Sequence, residues 1–190
     1  MKTLRFIGVA LLTVLLSINL TACSSSSDDS EIDMKAHSVE MNYYIFGITE
    51  EILDNIDIRV DYYNGGSEVI KEVLTKESLV FDPSSNYYHW EKTAKTTLPA
   101  KLGYRIMMRL KPEVGVDVGE LEESGTFGYT HTITNAAGFP LYSEKQTTVF
   151  KLIDQSLLSK WVIDPTGAYS VSQIALFDSN GQVTIKGNWE

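Results

Sequence analysis

Ile56-Asp57-Ile58-Arg59-Val60-Asp61-Tyr62-Tyr63, followed by Asn64-Gly65-Gly66 and then by residues 68–74, decides the fold class of this chain. Ile56, Ile58, Val60 and Tyr62 alternate with Asp57, Arg59, Asp61 and Tyr63. Successive side chains on a strand point to opposite faces, so a period of two marks a strand with one buried face. Asn64-Gly65-Gly66 supplies backbone that accepts positive φ for a hairpin turn. Residues 68–74 return as the partner strand.

The same pattern extends in both directions. Upstream, residues 39–48 form a first strand containing Tyr43, Tyr44, Ile45 and Phe46, and residues 49–54 form one helical turn or a loop. Downstream come a short strand over 79–82, ended by Pro83, and a longer one over 87–97. In the longer strand Tyr88, Trp90 and Lys92 share one side; Tyr87, His89, Glu91 and Thr93 share the other. Leu98-Pro99-Ala100 interrupts it, and Tyr104, Ile106, Met108 and Leu110 mark another strand, ended by Pro112. Residues 113–125, rich in acids and glycine, are expected to be a mobile loop. Residues 126–134 form a threonine-rich strand, 135–138 a turn, and 141–153 one or two strands with Thr148, Phe150 and Leu152 on one face. Asp154 is placed to cap a short helix through Leu157, Leu158 and Trp161. Asp164-Pro165-Thr166-Gly167 makes a turn, and residues 170–186 close the chain as a hairpin around Asp178-Ser179-Asn180-Gly181.

About eight or nine short strands with little helix predict an all-β chain, an antiparallel β-sandwich. An immunoglobulin-like Greek key is one topology compatible with this pattern, although the Cys–Trp–Cys signature of true immunoglobulin domains is absent. A closed barrel is the alternative. Aromatic residues make up 11% of the chain, with ten tyrosines, which suits strands.

The N-terminal segment is different in kind. Lys2 and Arg5 precede a nearly unbroken apolar run from Phe6 to Leu16, and small residues follow. That is the layout of a secretory signal peptide. The run falls short of the roughly 20 residues needed to cross a hydrocarbon core of about 30 Å. Leu20-Thr21-Ala22-Cys23 resembles the lipobox of bacterial lipoproteins. The resemblance implies cleavage before Cys23 and lipid attachment to its sulfur. Cys23 is the only cysteine, so no intramolecular disulfide can form, and lipidation gives the lone thiol a role. Each buried methylene adds about 0.8 kcal/mol, so two or three acyl chains anchor a protein stably where one does not.

Ser24-Ser25-Ser26-Ser27-Asp28-Asp29-Ser30-Glu31 is a polar tether without core-forming residues. It is similar to the acidic export signal of Bacteroidetes-type surface lipoproteins, which implies an outer-membrane anchor with the domain displayed on the cell surface; a periplasm-facing orientation is the alternative. The expected organisation is a cleaved signal peptide over 1–22, a lipidated cysteine and tether over 23–38, and a single domain over 39–190. Loss of Lys2 and Arg5 takes 16 cations to 14 against 25 acids, a net charge of −11. A chain this acidic repels phosphate backbones, so nucleic acid is not an expected partner.

Candidate chemistry is sparse. Of the three histidines, His37 falls in the tether region, His89 on a strand flank and His131 among threonines. None has zinc-ligand spacing, and neither a nucleophile elbow nor a phosphate-cradling glycine loop is present. All three read as solvated or hydrogen-bonded strand residues. The acids of 117–123 lack the ordered spacing of a calcium loop. No catalytic residue, metal or cofactor is expected.

The aromatic doublets Tyr43-Tyr44, Tyr62-Tyr63 and Tyr87-Tyr88, with Trp90 and Trp161, stand out more. In each doublet one ring points inward and the other outward. Outward rings could align into a strip that stacks on sugar or peptide, and Tyr63, Tyr87 and Trp90 are the candidate ligand-binding residues. The plainer expectation is core packing and cross-strand pairing. Together these features suggest a non-catalytic, lipid-anchored accessory protein that binds a glycan, a peptide or an envelope partner. The alternatives are a structural subunit of an outer-membrane transport or adhesion assembly and, less favoured, a hydrolase.

Overall fold

A computed structural model describes residues 33–112, 117–142 and 146–189. The signal peptide, Cys23 and the acidic tether lie outside the described residues. The chain from Asp33 onward forms one compact unit.

Ten strands build two antiparallel sheets of five: β1 (Ser38–Ile48), β2 (Ile56–Tyr63), β3 (Val69–Leu74), β4 (Val80–Asp82), β5 (Tyr87–Thr97), β6 (Ala100–Leu110), β7 (Ser124–Thr134), β8 (Gln146–Ile153), β9 (Tyr169–Phe177) and β10 (Val183–Lys186). The all-β sandwich expected from the alternation is therefore present, with ten strands rather than eight or nine. The first sheet runs β4-β5-β1-β7-β8 and the second β10-β9-β6-β2-β3. Each sheet is a single central strand, β1 or β6, flanked by two hairpins. The chain passes between the sheets after β1, β3, β5, β6 and β8, so β5 pairs with β1 in one sheet and β6 with β2 in the other, a crossed connectivity compatible with the Greek key expected. β1 and β6 have eleven residues each and backbone partners on both sides.

The inward faces form one core. β1 contributes Val39, Met41, Tyr43 and Ile45, β2 contributes Ile56, Ile58, Val60 and Tyr62, and β7 contributes Phe127, Tyr129 and Ile133. Two short helices complete it. In α1 (Glu50–Asn55), the Thr49 hydroxyl accepts from the Ile52 N–H, while Ile52 and Leu53 are buried. In α2 (Gln155–Ile163), the Asp154 carboxylate accepts from the Leu157 N–H at 2.9 Å, and Leu157, Leu158 and Trp161 are buried. Side-chain acceptors satisfy backbone donors that a helix start leaves orphaned. Part of the segment expected to be a mobile loop is ordered. Val118–Glu120 is a 3-10 turn packed against α2, Leu121 is buried, and Ser124 and Gly125 already belong to β7. An isolated leucine among acids carries no periodicity, so its burial left no mark in the pattern.

Two polar contacts cross the sandwich. The β2–β6 ladder ends with Tyr62 opposite Tyr104. At the next position the Tyr43 hydroxyl, arriving from the other sheet, donates to the Tyr63 carbonyl and accepts from the Gly103 N–H, both at 2.9 Å. Gly103 has φ +151°, and a Cβ there would fall 2.4 Å from the Gln173 carbonyl oxygen. Burial holds the Tyr43 phenol above its usual range, so it keeps the proton it donates. Near the edge, Glu72 on β3 accepts from the Tyr62 hydroxyl at 2.8 Å and from the Trp90 indole N–H at 2.9 Å, and Lys92 Nζ lies 3.2 Å away. Burial opposes the charged form of Glu72, but the bonds from Trp90, Tyr62 and Lys92 outweigh it and hold the carboxyl below its usual range.

Two outcomes follow from these contacts. Tyr43→Phe keeps the ring but removes the acceptor of a buried N–H, so urea unfolding should show a loss of about 1–3 kcal/mol; an unchanged midpoint would mean that the hydroxyl contributes nothing. A carboxyl whose folded pKa is depressed stabilises the fold above its unfolded pKa, and that stability is lost as pH falls through the folded value. Melting curves from pH 7 to pH 3 should therefore show Glu72→Gln less stable than wild type at neutral pH, with the gap closing toward acid. A gap that stays constant with pH would contradict a charged staple.

Candidate functional site

At one end of the first sheet the alternation breaks. β1 pairs with β5 through Ile45 opposite Trp90, then resumes at Ile48 opposite Tyr88, so Phe46 and Gly47 together face His89. This is a β-bulge. Gly47 adopts φ +72°, and Gly125 on the adjoining β7 adopts φ +71°. A Cβ on Gly47 would sit 3.4 Å from the Gly125 Cα. The two glycines let the backbones approach, and their main chain lies at the floor of the site. The Ser124 hydroxyl donates to the Gly47 carbonyl at 2.9 Å and fixes the bulge. The extra residue also resets the parity of β1: Ile48, two positions after the outward Phe46, is fully buried.

Over this floor lies an open groove of about 560 Å³. Its aromatic wall is Phe46, Tyr87 and His89, and its polar groups include Asp82, Glu123 and Lys151. Phe46 and Tyr87 are 39% and 43% exposed, high for rings that flank a groove. Tyr44 stacks on Phe46 with centroids 5.1 Å apart, and His89 lies 5.7 Å from Phe46, so the rings form a continuous strip on the outer face of this sheet. The turn from β4 to β5 sets Tyr87 in place. The Asp82 carboxylate accepts from the Ser84 N–H and hydroxyl and from the Ser85 hydroxyl. These bonds, led by the Ser84 hydroxyl, hold its carboxyl below the usual range, and Asn86 takes the left-handed conformation (φ +60°) that ends the turn. Glu123 Oε1 accepts from the Gln155 N–H at the start of α2. Lys151 projects from β8, beside Thr126.

The three candidate ligand-binding residues do not share a surface. Tyr87 lines the groove. Trp90 is buried between the sheets and bonded to Glu72. Tyr63 points outward from the other sheet, but Trp189 stacks on it with centroids 5.2 Å apart and Lys101 Nζ lies 5.0 Å from its ring centroid, leaving it 7% exposed. The alternation of the Tyr62-Tyr63 doublet is intact; the outward ring is simply covered by the C-terminal segment. Phe46 is not among the candidates that the tyrosine doublets pick out. Its spacing two residues after Tyr44 already placed both rings on one face, and a glycine inside a strand pattern is a bulge signal.

No protein-family model, curated protein or solved structure matches the chain. His131, expected to be solvated or hydrogen-bonded, is instead 7% exposed between Tyr129 and Phe177. Its Nδ1 has no hydrogen-bond partner among the described residues, and burial lowers its pKa, favouring the neutral ring. It faces the core, away from the groove. Among the described residues, no three metal-ligating side chains converge.

Proposed function

We propose that the chain is a lipid-anchored, non-catalytic accessory protein of the outer membrane that binds a glycan in the groove beneath Phe46, Tyr87 and His89. The observation that carries this proposal is the strip of rings Tyr44, Phe46 and His89 beside the exposed Tyr87, next to an open groove with polar groups at its rim. Ring faces pack against the apolar C–H face of a pyranose, while carboxylate, hydroxyl and ammonium groups bond to its hydroxyls. The groove is open to solvent, which admits a segment of a polymer. The membrane anchor rests on the Leu20-Thr21-Ala22-Cys23 motif and surface display on the acidic tether.

Binding is tested with the whole lipidated chain in detergent micelles, by affinity electrophoresis through gels containing neutral polysaccharides. Retardation should be lost by a factor of ten or more in the Phe46→Ala, Tyr87→Ala double variant, corresponding to about 1.4 kcal/mol or more. Normal retardation of the double variant, or passage of the wild type unretarded through every neutral polysaccharide, would remove the groove from consideration. The anchor is tested on cells. External protease should digest the domain of the wild type and spare a variant carrying Asp28→Ala, Asp29→Ala and Glu31→Ala. Protection of both would place the domain on the periplasmic side.

A further inference from the structure

The two outer faces of the sandwich carry different charge. Register pairs fix which side chains share a face. On the first sheet, Lys95 and Lys151 face outward with Glu40, Asp82 and Glu91. On the second, Lys71, Arg59, Lys101, Arg105, Arg109 and Lys186 face outward, and among the described strand residues the acids beside them are Asp57 and Asp61. The chain has 25 acids to 16 bases and four arginines in all, one in the signal peptide and the other three on this face.

The arginines are held, not loose. Asp61 has no exposed side-chain surface although it points to the outer face. It accepts from Arg59 Nε and Nη2 at 3.0 and 3.2 Å and from Arg105 Nε and Nη2 at 3.2 and 2.6 Å. Trp189 lies 5.4 Å from the Arg105 guanidinium carbon. One buried carboxylate thus fixes two guanidiniums, leaving a net positive cluster with spare donors. Arg109 donates to Asp57 at 3.0 Å, and Lys71 stands exposed, with no ion-pair partner among the described residues. Shallow grooves lie at both ends of this row. One, of about 410 Å³, has Met107 between Arg59 and Arg109; the other, of about 330 Å³, runs beside Tyr63 and Lys101.

We infer that the outer face of the second sheet is a binding track for a linear acidic polysaccharide, its carboxylates held by Arg59, Arg109, Lys71 and Lys101. This site is separate from the neutral-glycan groove on the opposite sheet. The β6 cations Lys101, Arg105 and Arg109 recur every fourth residue, so they stand about 13 Å apart and span about 27 Å. That reach fits an extended polymer better than a small anion. The spacing is far sparser than the roughly 1.7 Å per charge of duplex DNA, and the acidic remainder of the chain disfavours a phosphate-dense partner or an anionic bilayer. Guanidiniums pre-oriented by a buried acid suit the planar, bidentate carboxylate.

The test uses the whole lipidated chain in detergent micelles with polygalacturonate, the same polymer methyl-esterified, and vesicles with and without phosphatidylglycerol. Polygalacturonate should be retained, with affinity falling as salt rises. Esterification should cost at least tenfold. A variant with Arg59→Gln, Arg109→Gln, Lys71→Gln and Lys101→Gln should lose at least tenfold, while Lys71→Arg alone and the Phe46→Ala, Tyr87→Ala pair bind as wild type does. An unchanged melting temperature in the quadruple variant excludes unfolding as the cause. Equal binding of the esterified polymer, no binding of polygalacturonate, or a preference for anionic vesicles without polymer binding would each overturn the inference. None of those results bears on the neutral-glycan groove.

Discussion

The Tyr43 hydroxyl sits where a backbone rung would otherwise be. Its ring comes from the central strand of one sheet, and its oxygen occupies the end of the β2–β6 ladder in the other. Hydrophobic burial holds two sheets together but is indifferent to how far one slides over the other. A hydrogen bond is not indifferent, because a buried N–H deprived of its acceptor costs more than the bond gains. Tyr43 therefore fixes the relative setting of the two sheets where central strand β1 meets the end of the β2–β6 ladder, and Glu72 does the same at one edge by joining β3 to Trp90 and Lys92. Two rings pack against Tyr43: Tyr104 edge-on at 6.1 Å and 73°, and Tyr62 tilted at 5.7 Å and 57°.

With the inner faces fixed, the two outer faces are free to differ. The first carries aromatics and the bulged groove. The second carries cations and is partly covered by the last residues, where the Ser172 hydroxyl donates to the Gly187 carbonyl and Trp189 lies over Tyr63. That cover turns a tyrosine with the periodicity of a surface residue into a buried one. It also places an indole against Arg105, so the tail helps to hold the arginine cluster as well as the tyrosine.

Much of this fold was legible because two-residue periodicity is local. Ile56 to Tyr62, the Asp154 cap and the terminal hairpin each depend on neighbours within a few positions, and each is present. What could not be read depends on contacts distant in sequence. Trp90 has the composition of a ligand platform, and only the arrival of Glu72 from another strand shows it to be a core residue. Asp61 alternates like a solvated acid and is buried because Arg105, forty-four positions away, closes over it. The groove was half legible. Tyr87 belongs to a doublet visible in the sequence, whereas the place of Phe46 depends on Gly47 interrupting the strand.

Gly47 links stability to the site. Without the extra residue at Phe46–Gly47, the spacing that sends Tyr44 and Phe46 outward would send Ile48 outward too, and a fully buried side chain would be lost from the core. With it, Ile48 returns to the core, and the same irregularity bares the floor between Gly47 and Gly125. A side chain at Gly47 would therefore act on the fold and on the groove at once: it would meet a backbone held at positive φ and would rise from the groove floor. Substitutions at Phe46 and Tyr87, which are partly exposed and rest on a floor they do not form, separate the two effects. The aromatic wall can thus change while the bulge is kept by the core.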